Sequence, residues 1–221
     1  TTPWPTISTQ PRALGVTTPS QGKTTLATAQ AALPATISAS PAGGVSARRA
    51  VDAILTAQEP NPALAIDRHW HIVAMNAALG PLVSGVSPAL LTEAPNALRL
   101  SLHPDGLAPR IRNYRDWRGH VLRRLQRQVD TVGDPALSAL ADEIAAYPVP
   151  FGARPATSAV DLFGGLIVPL ELHLPDGRLL RLISTTTIFG TAVDIGLSEL
   201  AIESFYPADE GTSEVLRSLQ R

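Results

Sequence analysis

The stretch Ala63-Leu-Ala-Ile-Asp-Arg-His-Trp-His-Ile-Val-Ala-Met75 decides the fold of this chain. Two short apolar runs in it flank the polar segment Asp67-Arg68-His69. Apolar runs joined by a polar turn are typical of a β-hairpin, because each run can place one side of a strand against a core. We therefore expect two antiparallel strands here.

Further strands are predicted near the C-terminal end of the chain. Apolar residues occupy every second position from Leu166 to Leu174, which gives a strand with one apolar face. Pro169 has no N–H to donate, so this strand lies at a sheet edge or contains a bulge. Pro175-Asp176-Gly177 predicts a turn, after which strands are expected over Leu179–Ile188 and about Leu200–Tyr206.

The segment between the two sets of strands has a helical pattern. Trp117, Val121 and Leu125 recur four residues apart, which predicts a buried stripe on a helix over Asn113–Val132. A Gly-Asp-Pro sequence ends that helix, and a second one is expected over Ala136–Tyr147. Two strands, a helical block and three strands predict an α+β fold with an antiparallel sheet of about five strands.

Shorter helices are predicted from their capping residues. Ser46 is expected to be the N-cap of a helix whose buried face carries Val51, Ile54 and Leu55. Asn76 is expected to cap a helix through Val83, and Ser87-Pro88 to open another. A last short helix is expected over Thr212–Leu219.

The composition of the 221 residues excludes several classes of protein. Hydrophobic residues make up 44%, enough for a core, and the net charge of −1 gives no general attraction to nucleic acid or anionic membrane. The absence of cysteine excludes disulfides and thiolate metal sites, and it fits a reducing cytoplasm. No apolar run is long enough to cross a membrane. The cytoplasmic location that we expect comes from the family resemblance described below, with which this composition agrees.

The first 45 residues differ from the rest of the chain. Thr, Ala, Pro and Ser supply 28 of these 45, and no acidic residue occurs among them. Such a segment has too few large apolar side chains to offset the entropy lost on ordering it. We expect residues 1–45 to be a flexible arm, with at most a short helix at Leu26–Leu33, and residues 46–221 to form the domain.

Seven arginines occur within eighteen residues, with one acid, Asp116, among them. They are Arg110, Arg112, Arg115, Arg118, Arg123, Arg124 and Arg127. Arginines so grouped can bind phosphate, anionic lipid or the acidic head of a ligand. The commoner alternative is a solvated helix face, compensated here by nine acidic residues from Asp161 onward. We expect compensation, with arginines near Trp117 and His120 as the exceptions.

Motifs of catalysis and metal binding are absent or incomplete. Gly22-Lys23-Thr24 resembles the end of a phosphate-binding loop, but Thr17 stands where that motif needs glycine. His69 and His71 share a face of a strand, and without a third ligand at a suitable spacing we interpret them as structural. No serine-nucleophile or zinc-protease motif occurs. The sequence therefore predicts no enzyme, no cofactor and no metal site.

Three blocks of sequence carry a resemblance to a known family. They are Pro62-Ala-Leu-Ala-Ile-Asp-Arg-His-Trp-His-Ile-Val-Ala-Met-Asn-Ala-Ala78, Asn96-Ala-Leu-Arg-Leu-Ser-Leu-His-Pro-Asp-Gly-Leu-Ala-Pro-Arg-Ile-Arg-Asn-Tyr-Arg-Asp-Trp117 with its continuation to Leu125, and Ser184-Thr-Thr-Thr-Ile-Phe-Gly-Thr-Ala-Val-Asp-Ile195 with Leu197–Asp209. Together they resemble the PAS-like ligand-binding domain of MmyB-type transcription regulators, over roughly residues 47 to 219.

The resemblance implies a bacterial regulator whose PAS-like domain binds a small, fatty-acid-like ligand and is monomeric or a homodimer. In the family this domain follows a helix-turn-helix of the xenobiotic-response-element type. Residues 1–45 show no such pattern and hold two basic residues. We therefore expect contact with DNA only through a helix-turn-helix domain that is not evident in this chain.

The ligand is expected in a pocket between sheet and helices, walled by Leu, Ile and Val. Its binding residues are predicted in the family's most specific block, where polar and apolar side chains are combined. They are Asn96, Arg99, His103, Arg110, Trp117, His120 and Arg124. The alternative is that these residues tie the loop before the long helix to the sheet. Two other functions stay open: an interaction or dimerisation module with a filled core, and a hydrolase.

Overall fold

The computed structural model describes residues 43–156, 167–189 and 200–220. The expected arm lies outside these residues except for its last three, and the expected short helix at Leu26–Leu33 lies outside them entirely. The part of the third resemblance block between 190 and 199 is also outside.

The predicted hairpin and the three later strands form one antiparallel sheet. The strands are β1 (Ala63–Ile66), β2 (Ile72–Met75), β3 (Leu170–His173), β4 (Leu179–Ile188) and β5 (Ala201–Pro207). Their order across the sheet is β2-β1-β5-β4-β3, so the two strands of the hairpin join the later strands through β1 and β5. The α+β class and the five-stranded antiparallel sheet are confirmed.

Strand β3 lies at one edge of the sheet, as Pro169 predicts. Its outward backbone is covered by the helical block: the Glu171 carbonyl accepts from the Arg112 N–H at 2.8 Å, and the Glu171 N–H donates to Asn113 Oδ1 at 3.0 Å. At the opposite edge, the Ile72 N–H donates to the Pro95 carbonyl at 2.8 Å. Segments of the block between β2 and β3 thus reach both outer strands.

The helices agree with the main periodicities of the sequence. They are α1 (Gly43–Ala57), α2 (Gly80–Val83), α3 (Ala97–Leu102), α4 (Tyr114–Val132), α5 (Pro135–Ala146) and α6 (Glu210–Ser218), with 3₁₀ turns at Ala77–Leu79, Pro88–Leu90 and Ala108–Arg110. Trp117, Val121 and Leu125 of α4 are buried as predicted. Gly133, in the left-handed conformation with φ 68°, ends α4.

The sheet separates two cores. Leu64 and Ile66 of β1 belong to the main core with the helical block, whereas Ala63 and Ala65 pack with Val51 and other residues in a smaller core beside α1. This division follows from the strand repeat, because successive side chains point to opposite faces of a sheet.

Two of the predicted caps are wrong. Helix α1 begins at Gly43, so Ser46 lies within it and is not its N-cap. Asn76 precedes a 3₁₀ turn but makes no capping hydrogen bond. Its buried amide accepts from the Ala63 N–H at 3.0 Å and donates to the carbonyls of Leu55 and Asn61 at 3.1 and 2.8 Å. The Asn76 side chain thus joins α1 to β1. It makes three hydrogen bonds there, more than a capping side chain usually makes.

Candidate ligand-binding cavity

A mostly apolar cavity lies between the inner face of the sheet and the helical block. Its empty volume is about 800 Å³, a figure that includes the open solvent at its mouth. Leucines from β1, β3, α2 and α3 make up much of its wall, among them Leu64, Leu82, Leu98, Leu100, Leu170 and Leu172. The predicted pocket walled by aliphatic residues is therefore present in the described part of the chain.

One face of α4 supplies the polar side of this cavity. Trp117, His120, Val121 and Arg124 line it, and their spacing of three, four and seven residues places them on one helical stripe. The Trp117 indole donates from Nε1 to Ser101 Oγ at 3.0 Å and stacks on the His120 ring, with 5.6 Å between centroids. Ser101 can still donate its own hydroxyl proton to a ligand.

A buried ion pair joins α4 to β5 at the same cavity. Arg124 donates from Nη1 to Glu203 Oε1 at 2.8 Å and from Nη2 to Oε2 at 2.9 Å, and Thr186 Oγ1 donates to Oε2 at 2.9 Å. The Glu203 side chain is 8% exposed and that of Arg124 is 26% exposed. The charge of Arg124 is therefore balanced within the protein. An anionic ligand would have to compete with Glu203 for the Arg124 guanidinium.

Trp70 connects the β1–β2 turn to the cavity. It lines the cavity, and the Arg124 guanidinium lies 4.5 Å from its ring centroid, a cation–π distance. Its φ of 69° lies in the left-handed region, which a bulky side chain rarely adopts. Its Nε1 donates to Gln128 Oε1 at 2.9 Å, and its carbonyl accepts from the Ala97 N–H at 2.8 Å. These contacts hold the residue in that conformation.

His120 is held in its neutral form. Burial lowers the pKa of its imidazole, and the positive charges of Arg124 and Arg123 lower it further. A neutral imidazole has one donor and one acceptor nitrogen. His120 therefore brings both kinds of hydrogen-bonding group to the cavity without adding a net charge.

Three of the seven predicted binding residues line this cavity: Trp117, His120 and Arg124. The other four do not line it. They make hydrogen bonds within the domain, although Nη1 of Arg110 is buried without a hydrogen-bond partner among the described residues. Arg99 is paired with Glu143 at 2.7 Å, which lowers the pKa of that carboxyl.

Asn96 caps α3, accepting from the N–H groups of Leu98 and Arg99 at 3.0 and 3.2 Å. His103 Nδ1 accepts from the Asp105 N–H at 3.0 Å. Arg110 donates from Nη2 to the Leu82 carbonyl at 2.6 Å, and burial lowers the pKa of its guanidinium. These contacts agree with the alternative that such residues hold the helical block together. A ligand contact at Asn96, Arg99, His103 or Arg110 stays a prediction.

Sequence reasoning missed four polar or aromatic residues of the cavity: Trp70, Ser101, Glu203 and Phe205. The signal for Glu203 was present, since it is an acid two residues before Phe205 on the same face of an otherwise apolar strand. A carboxylate on an inward face needs a cation beside it. The nearby arginine-rich helix was the source of that cation.

The expected charge compensation is confirmed for Arg112, and Arg124, which was expected to be an exception, is compensated as well. Arg124 pairs with Glu203, and Arg112 Nε lies 3.6 Å from Glu171 Oε2. Arg118 donates instead to the carbonyls of Ile144 and Ala145 at the end of α5. Cations are favourable at the C-terminal end of a helix.

Comparison with known proteins gives one family match over most of the chain. Residues 47–219 match the model of the MmyB-like transcription regulator ligand binding domain. Among solved structures, the chain is similar to the PAS domain of BvgS from Bordetella pertussis, at 15% identity and a TM-score of 0.32, over 78% of this chain and 95% of that one. No protein of curated function matches. Within the described residues, no helix combines the length and apolar character needed for a membrane crossing.

Proposed function

The chain belongs to the family of MmyB-like transcription regulator ligand-binding domains, and we propose that its cavity senses a fatty-acid-like small molecule. That family is a regulatory one and not a class of enzymes. We place the sensor in the bacterial cytoplasm, acting on DNA through a helix-turn-helix domain, with a homodimer as one form of the active regulator.

The observation that carries the proposal is the separation of polar and apolar lining in the cavity. Leucines line the sheet side and the α2–α3 side, whereas Ser101, His120 and the Arg124–Glu203 pair lie along the α4 side. An acyl chain has the same division, with an apolar body and one polar end. A fit of this kind gains roughly 0.8 kcal/mol for each buried methylene.

The polar end of the ligand is proposed to meet His120 and Ser101, with Arg124 beside them. Glu203 already neutralises Arg124. His120 and Ser101 are uncharged and can therefore bind the ligand without breaking the Arg124–Glu203 pair. An interaction module with a filled core is the second candidate function. A cavity whose lining is mostly apolar favours the sensor over that alternative.

Isothermal titration with saturated fatty acids of about eight to eighteen carbons tests the proposal. The affinity should rise roughly fourfold for each added methylene until the cavity is full, which is the equivalent of about 0.8 kcal/mol. The His120→Leu variant should weaken fatty acids more than the matching alkanes, because it removes a polar contact only. His173→Leu, on the exposed side of β3, is the control. Flat millimolar affinities across the series would favour the interaction module.

A further inference from the structure

The turn between β1 and β2 brings together three side chains with metal-ligating atoms. Asp67, His69 and His71 each offer one such atom, and these atoms lie within 4.8 Å of one another. Asp134, the residue before α5, reaches the same cluster through His69. We propose that this turn binds one divalent transition-metal ion of the zinc class through Asp67, His69 and His71, with Asp134 as the carboxylate that orients His69.

The turn fixes the carboxylate of Asp67 before any ion arrives. Its Oδ1 accepts from the backbone N–H groups of His69 and His71, both at 2.8 Å, and the Asp67 N–H donates to the His71 carbonyl at 3.0 Å. Oδ2 is therefore the oxygen turned toward the histidines. Because the ligand positions are set by the folded turn, little ordering entropy remains to oppose binding.

The distances suit a tetrahedral ion. Ligand atoms about 2.0–2.1 Å from zinc are about 3.3 Å apart at the tetrahedral angle. Asp67 Oδ2 lies 3.1 Å from His71 Nδ1, and Asp134 Oδ2 lies 2.8 Å from His69 Nε2. Asp134 is itself held, since its Oδ1 accepts from the Ala136 N–H at 2.8 Å. It serves as the carboxylate that orients His69, a common arrangement around zinc.

The donor set selects the class of ion. Two imidazoles and one carboxylate combine nitrogen with oxygen, which suits Zn²⁺, Ni²⁺ or Cu²⁺, whereas Mg²⁺ and Ca²⁺ prefer oxygen alone. The two carboxylates also balance the charge of a dication. The four side chains are 25–38% exposed, so an ion can enter from solvent without opening the fold.

The site is separate from the proposed acyl cavity, and its test needs no acyl ligand. Zinc binding to tag-free full-length protein is measured by competition with a chromogenic chelator, together with the visible spectrum of a Co²⁺-loaded sample. We expect one Zn²⁺ per chain, tetrahedral Co²⁺ bands, and no competition from millimolar Mg²⁺. His71→Gln should weaken zinc binding at least tenfold, and His173→Gln, a histidine on β3, should leave it unchanged.

The Asp67→Asn variant separates loss of a metal ligand from loss of the fold. It keeps the Oδ1 acceptor of the turn and removes the negative charge. It should weaken zinc binding at least tenfold, with thermal unfolding of the metal-free protein close to that of the wild type. The proposal is overturned if the wild type binds less than half an equivalent of Zn²⁺. It is also overturned if a His69→Gln/His71→Gln variant binds zinc as the wild type does, or if His173→Gln weakens binding as much as His71→Gln.

Discussion

Removing one partner of the Arg124–Glu203 pair should destabilise the protein far more than removing both. In Arg124→Met, Glu203 loses two of its three hydrogen bonds and keeps the one from Thr186. Its carboxylate, 8% exposed, then stays buried without a cation. Breaking a buried pair in this way costs about 3–5 kcal/mol. Because Arg124 is itself 26% exposed, we expect the lower end, about 3 kcal/mol.

The double variant Arg124→Met/Glu203→Met removes both charges and keeps apolar volume at the cavity. Its free energy of unfolding should lie within about 1 kcal/mol of the wild type, since replacing a buried pair by apolar groups is often neutral or stabilising. Glu203→Met alone should cost less than Arg124→Met, about 1–2 kcal/mol, because the partly exposed guanidinium keeps water and the Trp70 ring as partners.

Urea unfolding at pH 7, followed by tryptophan fluorescence, measures these differences through the transition midpoint at constant slope. Arg123→Met is the control, because Arg123 is exposed on the same helix and its loss should change stability by less than about 0.5 kcal/mol. The reasoning is refuted if Arg124→Met unfolds within 1 kcal/mol of the wild type, or if the double variant is as unstable as the two single changes added together.

Two other variants test the buried polar groups. Asn76→Ala should lower the free energy of unfolding by about 2–4 kcal/mol, because it removes the acceptor of the Ala63 N–H, the Asn76 donor to the Asn61 carbonyl and one of two donors to the Leu55 carbonyl. Urea titration measures the change, and a loss below 1 kcal/mol contradicts the assigned role. The lowered pKa of His120 means that the unfolded chain binds more protons than the folded one below about pH 6.5, so stability falls as the pH drops from that value. His120→Phe should remove that part of the decline between pH 7 and 5, and an unchanged pH profile of stability speaks against it.

The fold was largely predictable because its strands and long helices carry strong periodicities. The alternation before Leu174 and the four-residue spacing after Trp117 both agree with the observed burial. Helix α3 was not predicted, since its six residues are too few for a helical period to be recognised. Asn76 shows the other limit: a residue type typical of caps was used for contacts between distant segments, which local sequence does not specify.

The presence of an apolar pocket could be predicted from the sequence, but several of the residues that line it could not. Helix spacing alone brings Trp117, His120 and Arg124 to one face. Glu203 joins them from 79 residues further along the chain, through sheet pairing that no local pattern gives. Asp67 was overlooked as a partner of His69 and His71 because it was interpreted only as a turn residue, although it stands two positions before His69.

The covering of both outer strands has a consequence for assembly. An uncovered strand edge is a template on which a second chain can add its own strand. Here Glu171 has its outward N–H and carbonyl occupied, and Ile72 has its outward N–H occupied, by segments of one connecting block. Two copies of this domain therefore cannot extend the sheet into a continuous one at these positions. Contact between two copies at these positions would have to use side chains, where single substitutions can tune it.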